Sequence, residues 1–136
     1  MKVTTSPDQW VASILLFVAA GTHIPLIREH MEEAPYIGWL FVALSVVCIV
    51  FGVAILVLDN PGLWLLSGLV CFAAVVAFLA SRTIGLPQIG DDIGNWTEPL
   101  GFPAVVSEAL VPLLAYLHLR ERHAARVTAG NGTNPA

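Results

Sequence analysis

Glu108 is an ionisable residue in the middle of an otherwise apolar segment, residues 99–117. A carboxylate at membrane depth costs roughly 3 kcal/mol or more, and it normally faces a partner or a water-filled cavity. The sequence offers two partners, because His23 lies in another apolar segment and Arg82 ends a third. These three side chains are suited to metal binding, proton transfer or charge pairing, so they are the leading candidates for a functional site.

A metal site is one interpretation of these residue types. Imidazole and carboxylate suit zinc, iron, manganese or copper, whereas soft Cu(I) prefers sulfur ligands. The cofactor expected under this interpretation is a divalent ion (Zn, Cu, Fe or Mn). A continuous helix would place His23 and His30 about two turns apart, too far for one ion, unless Pro25 changes that geometry. The predicted metal ligands are His23, Glu108, His30, Glu29 and Glu98.

Two other interpretations of the same residues remain open. One is a proton or ion relay, in which His23 and Glu108 are titratable groups within the membrane. The other is a structural contact, His23–Glu108 or Arg82–Glu108, that fixes helix packing. The sequence contains no P-loop, GxGxxG, GxSxG or HExxH motif, so no catalytic residue is assigned and enzymatic activity stays an open question.

The composition is that of an integral membrane protein. The chain is 57% hydrophobic and only 12% charged, with a mean hydropathy of +0.78, whereas soluble domains contain about 25% charged residues. Uncharged runs at residues 9–27, 34–58 and 61–81 each reach the roughly 17–25 residues that cross a bilayer core. Their continuous apolar character excludes the alternating pattern of barrel strands.

We therefore predict an all-α fold, a compact integral membrane four-helix bundle. Residues 1–126 form its single domain, and residues 127–136 form a small, polar, disordered tail. Pro25 lacks a backbone donor and is expected to kink or end the first helix near His23. The spans are predicted at about residues 10–27, 35–58, 61–82 and 99–119.

The distribution of basic residues predicts the topology. Lys2 precedes the first span and Arg120, Arg122 and Arg126 follow the last, so the positive-inside rule places both termini in the cytoplasm of a multi-pass cell-membrane protein. Residues 28–33 and 82–98 then face outward and carry most of the net charge of −4. An acidic outer rim favours a cationic partner, and no nucleic acid partner is expected.

The connection at residues 83–98 is longer than two antiparallel helices need, and long connections often carry function. We interpret it as a lid across the outer mouth of the bundle, with a passive surface loop as the alternative. The apolar residues that would face the bundle are Ile84, Leu86, Ile89, Ile93 and Trp96. The predicted ligand or ion-pair residues of this region are Arg82, Trp96, Asp91 and Asp92.

At the cytoplasmic side, residues 118–123 have the sequence of a basic helix end that meets anionic lipid headgroups. Trp64 is expected near the same interface. Cys48 and Cys71 fall near the centres of spans two and three without a CxxC spacing, which is typical of core packing.

Four short stretches resemble segments of small four-span bacterial membrane proteins: residues 23–30, 34–38, 81–87 and 98–101. The resemblance covers most of the chain. It implies a four-span topology and carries no activity, cofactor or functional residue.

The leading functional hypothesis is a small membrane protein that binds a divalent metal ion or a polar ligand at its outer face, for uptake, sensing or redox delivery. The alternative is an accessory or scaffold subunit of a larger membrane complex, with a structural His23–Glu108–Arg82 cluster. The expected partners are the lipid bilayer and other membrane subunits or copies of the chain. A ligand-binding protein should place His23, Glu108 and at least one of Arg82, His30 or Glu98 in one connected cavity. An accessory subunit should instead bury those groups as a closed pair.

Overall fold

The computed structural model describes residues 5–132, and within that range the chain is helical with no strand. Four segments are long and apolar enough to cross a membrane, which indicates a multi-pass membrane protein and confirms the predicted all-α architecture. The first segment consists of two helices joined by a 3₁₀ turn. In chain order the helices are α1 Pro7–His23, α2 Ile27–Glu33, α3 Pro35–Val57, α4 Pro61–Thr83 and α5 Gly101–Asn131.

The start of α1 is fixed by its sequence and by contacts to α3. Ser6 and Gln9 form a capping box, in which each side chain accepts a hydrogen bond from the backbone N–H of the other. The Gln9 amide also donates to the carbonyl of Ile55 at 2.6 Å, and the Ser13 hydroxyl donates to that of Gly52 at 2.8 Å. These bonds set the register of α1 against α3.

The first span continues past Pro25, further than the predicted end near residue 27. Residues Ile24–Leu26 form a 3₁₀ turn, after which α2 runs on to Glu33. The 3₁₀ turn accommodates the missing N–H of Pro25 without ending the helical segment. Arg28, expected in an outer loop, therefore lies on a helix, where it pairs with exposed Glu32 one turn later.

The helices pack unevenly around α1 and α5. Helix α1 packs against α3 and α5, and α4 packs against α5, whereas α3 and α4 have few contacts with each other. Gly68 allows α4 to approach α5, because a Cβ atom there would lie 3.1 Å from the Cβ of Ala115. Cys48 and Cys71 are fully buried in the core, as predicted. The weak α3–α4 contact leaves room for a cavity.

Helix α5 extends to Asn131, well beyond the predicted end of the fourth span. Residues 127–131, predicted as part of a disordered tail, are therefore helical. The sequence before them, Ala124-Ala125-Arg126, consists of strong helix formers and contains no proline that would stop the helix. The predicted tail residues 133–136 lie outside the described residues.

Candidate functional site

A cavity of about 570 Å³ lies between α3 and α4, toward the end of the bundle that carries residues 84–100, here called the loop end. Most of its wall is apolar. Six of the nine predicted site residues line it, namely His23, His30, Arg82, Asp92, Glu98 and Glu108. The other three, Glu29, Asp91 and Trp96, do not line the cavity, and all three are exposed.

His23 and Glu108 face each other in the cavity wall, from α1 and α5. The His23 Nδ1 bonds to the carbonyl of Ala19 at 2.8 Å, so this nitrogen carries a hydrogen and the other ring nitrogen is left for the cavity side. The His23 Nε2 lies 3.6 Å from the Glu108 Oε1. That distance exceeds a hydrogen bond, so the two groups are close without being bonded.

The Glu108 carboxyl group is incompletely bonded. The residue is only 2% exposed, and its Oε1 is a buried atom with no hydrogen-bond partner within the described chain. One turn later, Pro112 lacks the N–H that would bond to the backbone carbonyl of Glu108. A buried acceptor without a donor costs about 1–3 kcal/mol. The site therefore contains an acceptor that is positioned for a donor.

His30 repeats the local geometry of His23 without joining its pair. Its Nδ1 bonds to the carbonyl of Leu26 at 3.0 Å, four residues earlier, as His23 does with Ala19. The ring of Phe41 contacts both imidazoles, with centroids 4.7 Å from His23 and 4.8 Å from His30. Both histidines are thus oriented by their own helix backbone and share one aromatic neighbour.

Arg82 is paired with the loop and has no bond to Glu108. Its Nη1 lies 2.6 Å from the Asp92 Oδ2, and its Nη2 pairs with the Glu98 Oε2. The guanidinium also lies over the ring of Phe78, 4.8 Å from the centroid, and the residue is only 5% exposed. Of the two structural contacts considered for Glu108, the one with Arg82 is therefore not formed.

The loop at residues 84–100 closes the loop end of the cavity. Ile89 is buried against Ala34 and Ile37 at the start of α3, and Leu86 packs beside it. The Tyr36 hydroxyl donates to the carbonyl of Pro87 at 2.6 Å. The loop thus crosses from α4 to α3, as expected of a lid. Of the five predicted apolar contacts, Leu86 and Ile89 pack against α3, and the half-exposed Trp96 lies edge-on to the Phe78 ring of α4, with centroids 6.4 Å apart. Ile84 and Ile93 are more than half exposed.

The predicted metal ligands do not assemble around one point. No group of three or more His, Cys, Asp or Glu side chains suitable for a metal ion occurs within residues 5–132. Glu98 is occupied by Arg82, Glu29 is exposed on α2, and Phe41 contacts both histidine rings. The arrangement is one close His23–Glu108 pair with an unfilled acceptor.

A second polar cluster, at the opposite end of the bundle, was missed in the sequence. Trp64 is fully buried and stacks on the His118 ring at 4.1 Å, and its Nε1 donates to the Asp59 Oδ1 at 3.3 Å. His118 Nε2 and Arg122 Nη1 approach the same oxygen, at 3.2 and 2.9 Å. His118 is therefore not the solvated anchor that we expected, because its ring stacks on buried Trp64 and its Nε2 lies near Asp59 in the α3–α4 turn.

The fold indicates a multi-pass helical membrane protein, and its cavity has charged and imidazole side chains in the half nearer the loop end. No family model, no curated protein and no solved structure matches the chain. The functional conclusion therefore rests on the geometry of the site.

Proposed function

We propose that this protein binds a small organic ligand in the cavity between α3 and α4, and that His23 and Glu108 hold a polar group of that ligand. The observation that carries the proposal is the unpaired Glu108 Oε1 in the cavity wall. A buried carboxylate in a membrane segment normally faces a partner or a cavity, and this one faces both His23 and open space. A donor on the ligand would supply the missing hydrogen bond.

The cavity has the size and chemistry of a small-molecule site. Such sites have volumes of about 300–1,000 Å³, mostly apolar walls and a few convergent polar groups. This cavity, at about 570 Å³, combines apolar walls from α3 and α4 with the His23–Glu108 pair. A ligand site was expected to include at least one of Arg82, His30 and Glu98, and all three line the cavity. The polar groups are not sealed off as a closed pair.

An organic ligand fits this geometry better than a divalent metal ion. A protein zinc site takes three or four protein ligands, and here only His23 and Glu108 approach each other. Recruiting Glu98 would break its pair with Arg82. A zinc, copper, iron or manganese ion remains the weaker proposal for the same residues.

The proposed orientation follows the positive-inside rule, with both termini cytoplasmic and the loop end outside. The cavity would then lie in the outer half of the membrane, where uptake, sensing or redox delivery are roles that a bound ligand would serve. The accessory-subunit and proton-relay alternatives need no bound molecule. The presence of a molecule bound to the purified protein would therefore distinguish the present proposal from these two alternatives.

The test is untargeted mass spectrometry of molecules extracted from the detergent-purified wild-type protein and from Glu108→Gln. The matched control is Glu121→Gln, which changes an exposed carboxylate on the same helix. We expect one compound in near-stoichiometric amount in the wild-type and control proteins and its loss from Glu108→Gln. Equal amounts in all three proteins, or no compound in any, would overturn the proposal.

A further inference from the structure

We infer that the ligand is an amphiphile with one apolar chain and a hydrogen-bond-donating head group, and that it enters from the bilayer between α3 and α4. The inference rests on the proposed function, because it names the ligand class and the route for the same site.

The cavity is elongated along the helices and apolar over most of its length. Its lining on α3 extends from Tyr36 to Val47, and on α4 from Val70 to Arg82. At about 1.5 Å per residue these stretches are roughly 16 to 18 Å long. The charged and imidazole side chains of the lining lie between the loop end and the level of Phe41, whose ring contacts His23, and the α3 and α4 walls beyond that level are apolar. An occupant that matches the walls therefore has a polar head and an apolar chain.

The side of the cavity opens between α3 and α4. Leu40 and Ala43 on α3 and Ala73 and Ala77 on α4 line the cavity and are exposed. Because α3 and α4 have few contacts with each other, we place the opening of the cavity between them. Since both helices are apolar, that opening lies against lipid chains in a membrane.

Packed and bonded side chains cover the loop end of the cavity. Ile89 is buried against the start of α3, the Tyr36 hydroxyl bonds to the carbonyl of Pro87, and Arg82 binds Asp92. A ligand from water would have to break these three contacts together. A ligand from the bilayer would pass Leu40 and the small side chains of Ala43, Ala73 and Ala77, and it would break none of these three contacts.

The head group must donate a hydrogen bond and cannot be an anion. The free acceptor is the Glu108 Oε1. Arg82 is the one Lys or Arg that lines the cavity within the described chain; Asp92 and Glu98 bind its terminal nitrogens, and only its Nε is unbonded. Two carboxylates therefore already offset its charge, and a carboxylate or phosphate head would add a further negative charge beside Asp92, Glu98 and Glu108. A hydroxyl or an amine would donate to Glu108 and lie beside the His23 Nε2.

The test uses the full-length protein in lipid nanodiscs with radiolabelled probes and protein-free nanodiscs as background. Dodecylamine and 1-dodecanol carry the two donor heads, dodecanoic acid carries an anionic head, and butylamine and 1-butanol lack the chain. We expect saturable binding of one dodecyl amine or alcohol per protein. Dodecanoic acid and both butyl probes should bind at least tenfold more weakly.

Two substitutions test the lateral route. Ala77→Phe places a ring in the α3–α4 gap and should weaken binding of the dodecyl probe at least tenfold, and Ala73→Phe serves if that variant fails to fold. Ala109→Phe is the control, because Ala109 is exposed on α5 and does not line the cavity. Binding in this control should be unchanged.

The outcomes separate this inference from the proposed function. Butyl probes could bind as tightly as dodecyl probes, with binding lost in Glu108→Gln and unchanged in Ala77→Phe. That result would overturn the amphiphilic ligand and its lateral route, and the ligand site at Glu108 would still be supported. Dodecanoic acid as the tightest probe would overturn the donor head group. Probe binding that persists in Glu108→Gln would overturn the inference, and loss of the extracted compound in that variant would still support the proposed function.

Discussion

The two buried charged residues beside the cavity differ in how their bonds are satisfied. The terminal nitrogens of Arg82 have two carboxylate partners and its guanidinium has an aromatic face, with only its Nε unbonded, whereas the Glu108 Oε1 has no hydrogen-bond partner within the described residues. Their opposite charges alone would make them natural partners, because each is an isolated charge at or within an apolar segment. The structure instead pairs Arg82 with the loop, which leaves Glu108 available to a ligand.

Removing the Arg82 charge should loosen the loop. Arg82→Gln leaves Asp92 and Glu98 without their cation, and breaking a buried pair from one side costs about 3–5 kcal/mol of unfolding free energy. Hydrogen exchange should increase first in residues 84–100. The control is Arg28→Gln, since the Arg28–Glu32 pair is exposed and should contribute little. Equal effects of the two substitutions on loop exchange would contradict the role of Arg82.

Two features of the helices position the site, namely the close contact between α1 and α3 and the 3₁₀ turn at Ile24–Leu26. Close contact between α1 and α3 fixes the height of His23, and the 3₁₀ turn after it carries the chain past Pro25 into α2. Gly52 permits the contact, because a Cβ atom there would lie 2.7 Å from the Phe17 ring. Gly21, in the same helix as Phe17, has no neighbouring atom within 4 Å of such a position.

These two glycines give a matched pair of substitutions. Gly52→Ala should destabilise the protein by about 1–3 kcal/mol, the usual cost of forcing an extra group into a filled contact. Gly21→Ala should stabilise it by about 0.5–1 kcal/mol, because alanine is the better helix former and the space is open. Chemical unfolding in detergent measures both. Stabilisation of both variants to the same extent would show that α1 and α3 are not in close contact at Gly52.

At the scale of the whole molecule, the sequence was sufficient for the all-α class and for four long apolar helices, because uncharged runs of this length have few alternatives. It also identified six residues of the cavity lining. The sequence did not predict that Arg82 pairs with Asp92 and Glu98, because several carboxylates follow Arg82 in the chain. Their spacing alone does not show which of them it contacts. The Trp64–His118 stack was missed since both residues have the types usual at a membrane surface.

The orientation of the molecule is a prediction that labelling checks directly. Asn95→Cys in the loop should react with a membrane-impermeant maleimide on intact cells, and Asn131→Cys at the end of α5 should react only after lysis. The native Cys48 and Cys71 are fully buried and should give little background. The reverse pattern would contradict the positive-inside assignment and place the loop end in the cytoplasm.

The central claim is that Glu108 is a ligand-binding group, and the unfolding free energy of ligand-free Glu108→Gln tests it most directly. The glutamine amide costs less to bury than a carboxylate and can donate toward His23. We therefore predict an unfolding free energy equal to that of the ligand-free wild-type protein or higher by about 1–3 kcal/mol. A loss of about 3–5 kcal/mol would instead show that His23 and Glu108 form a structural pair, and it would contradict the account.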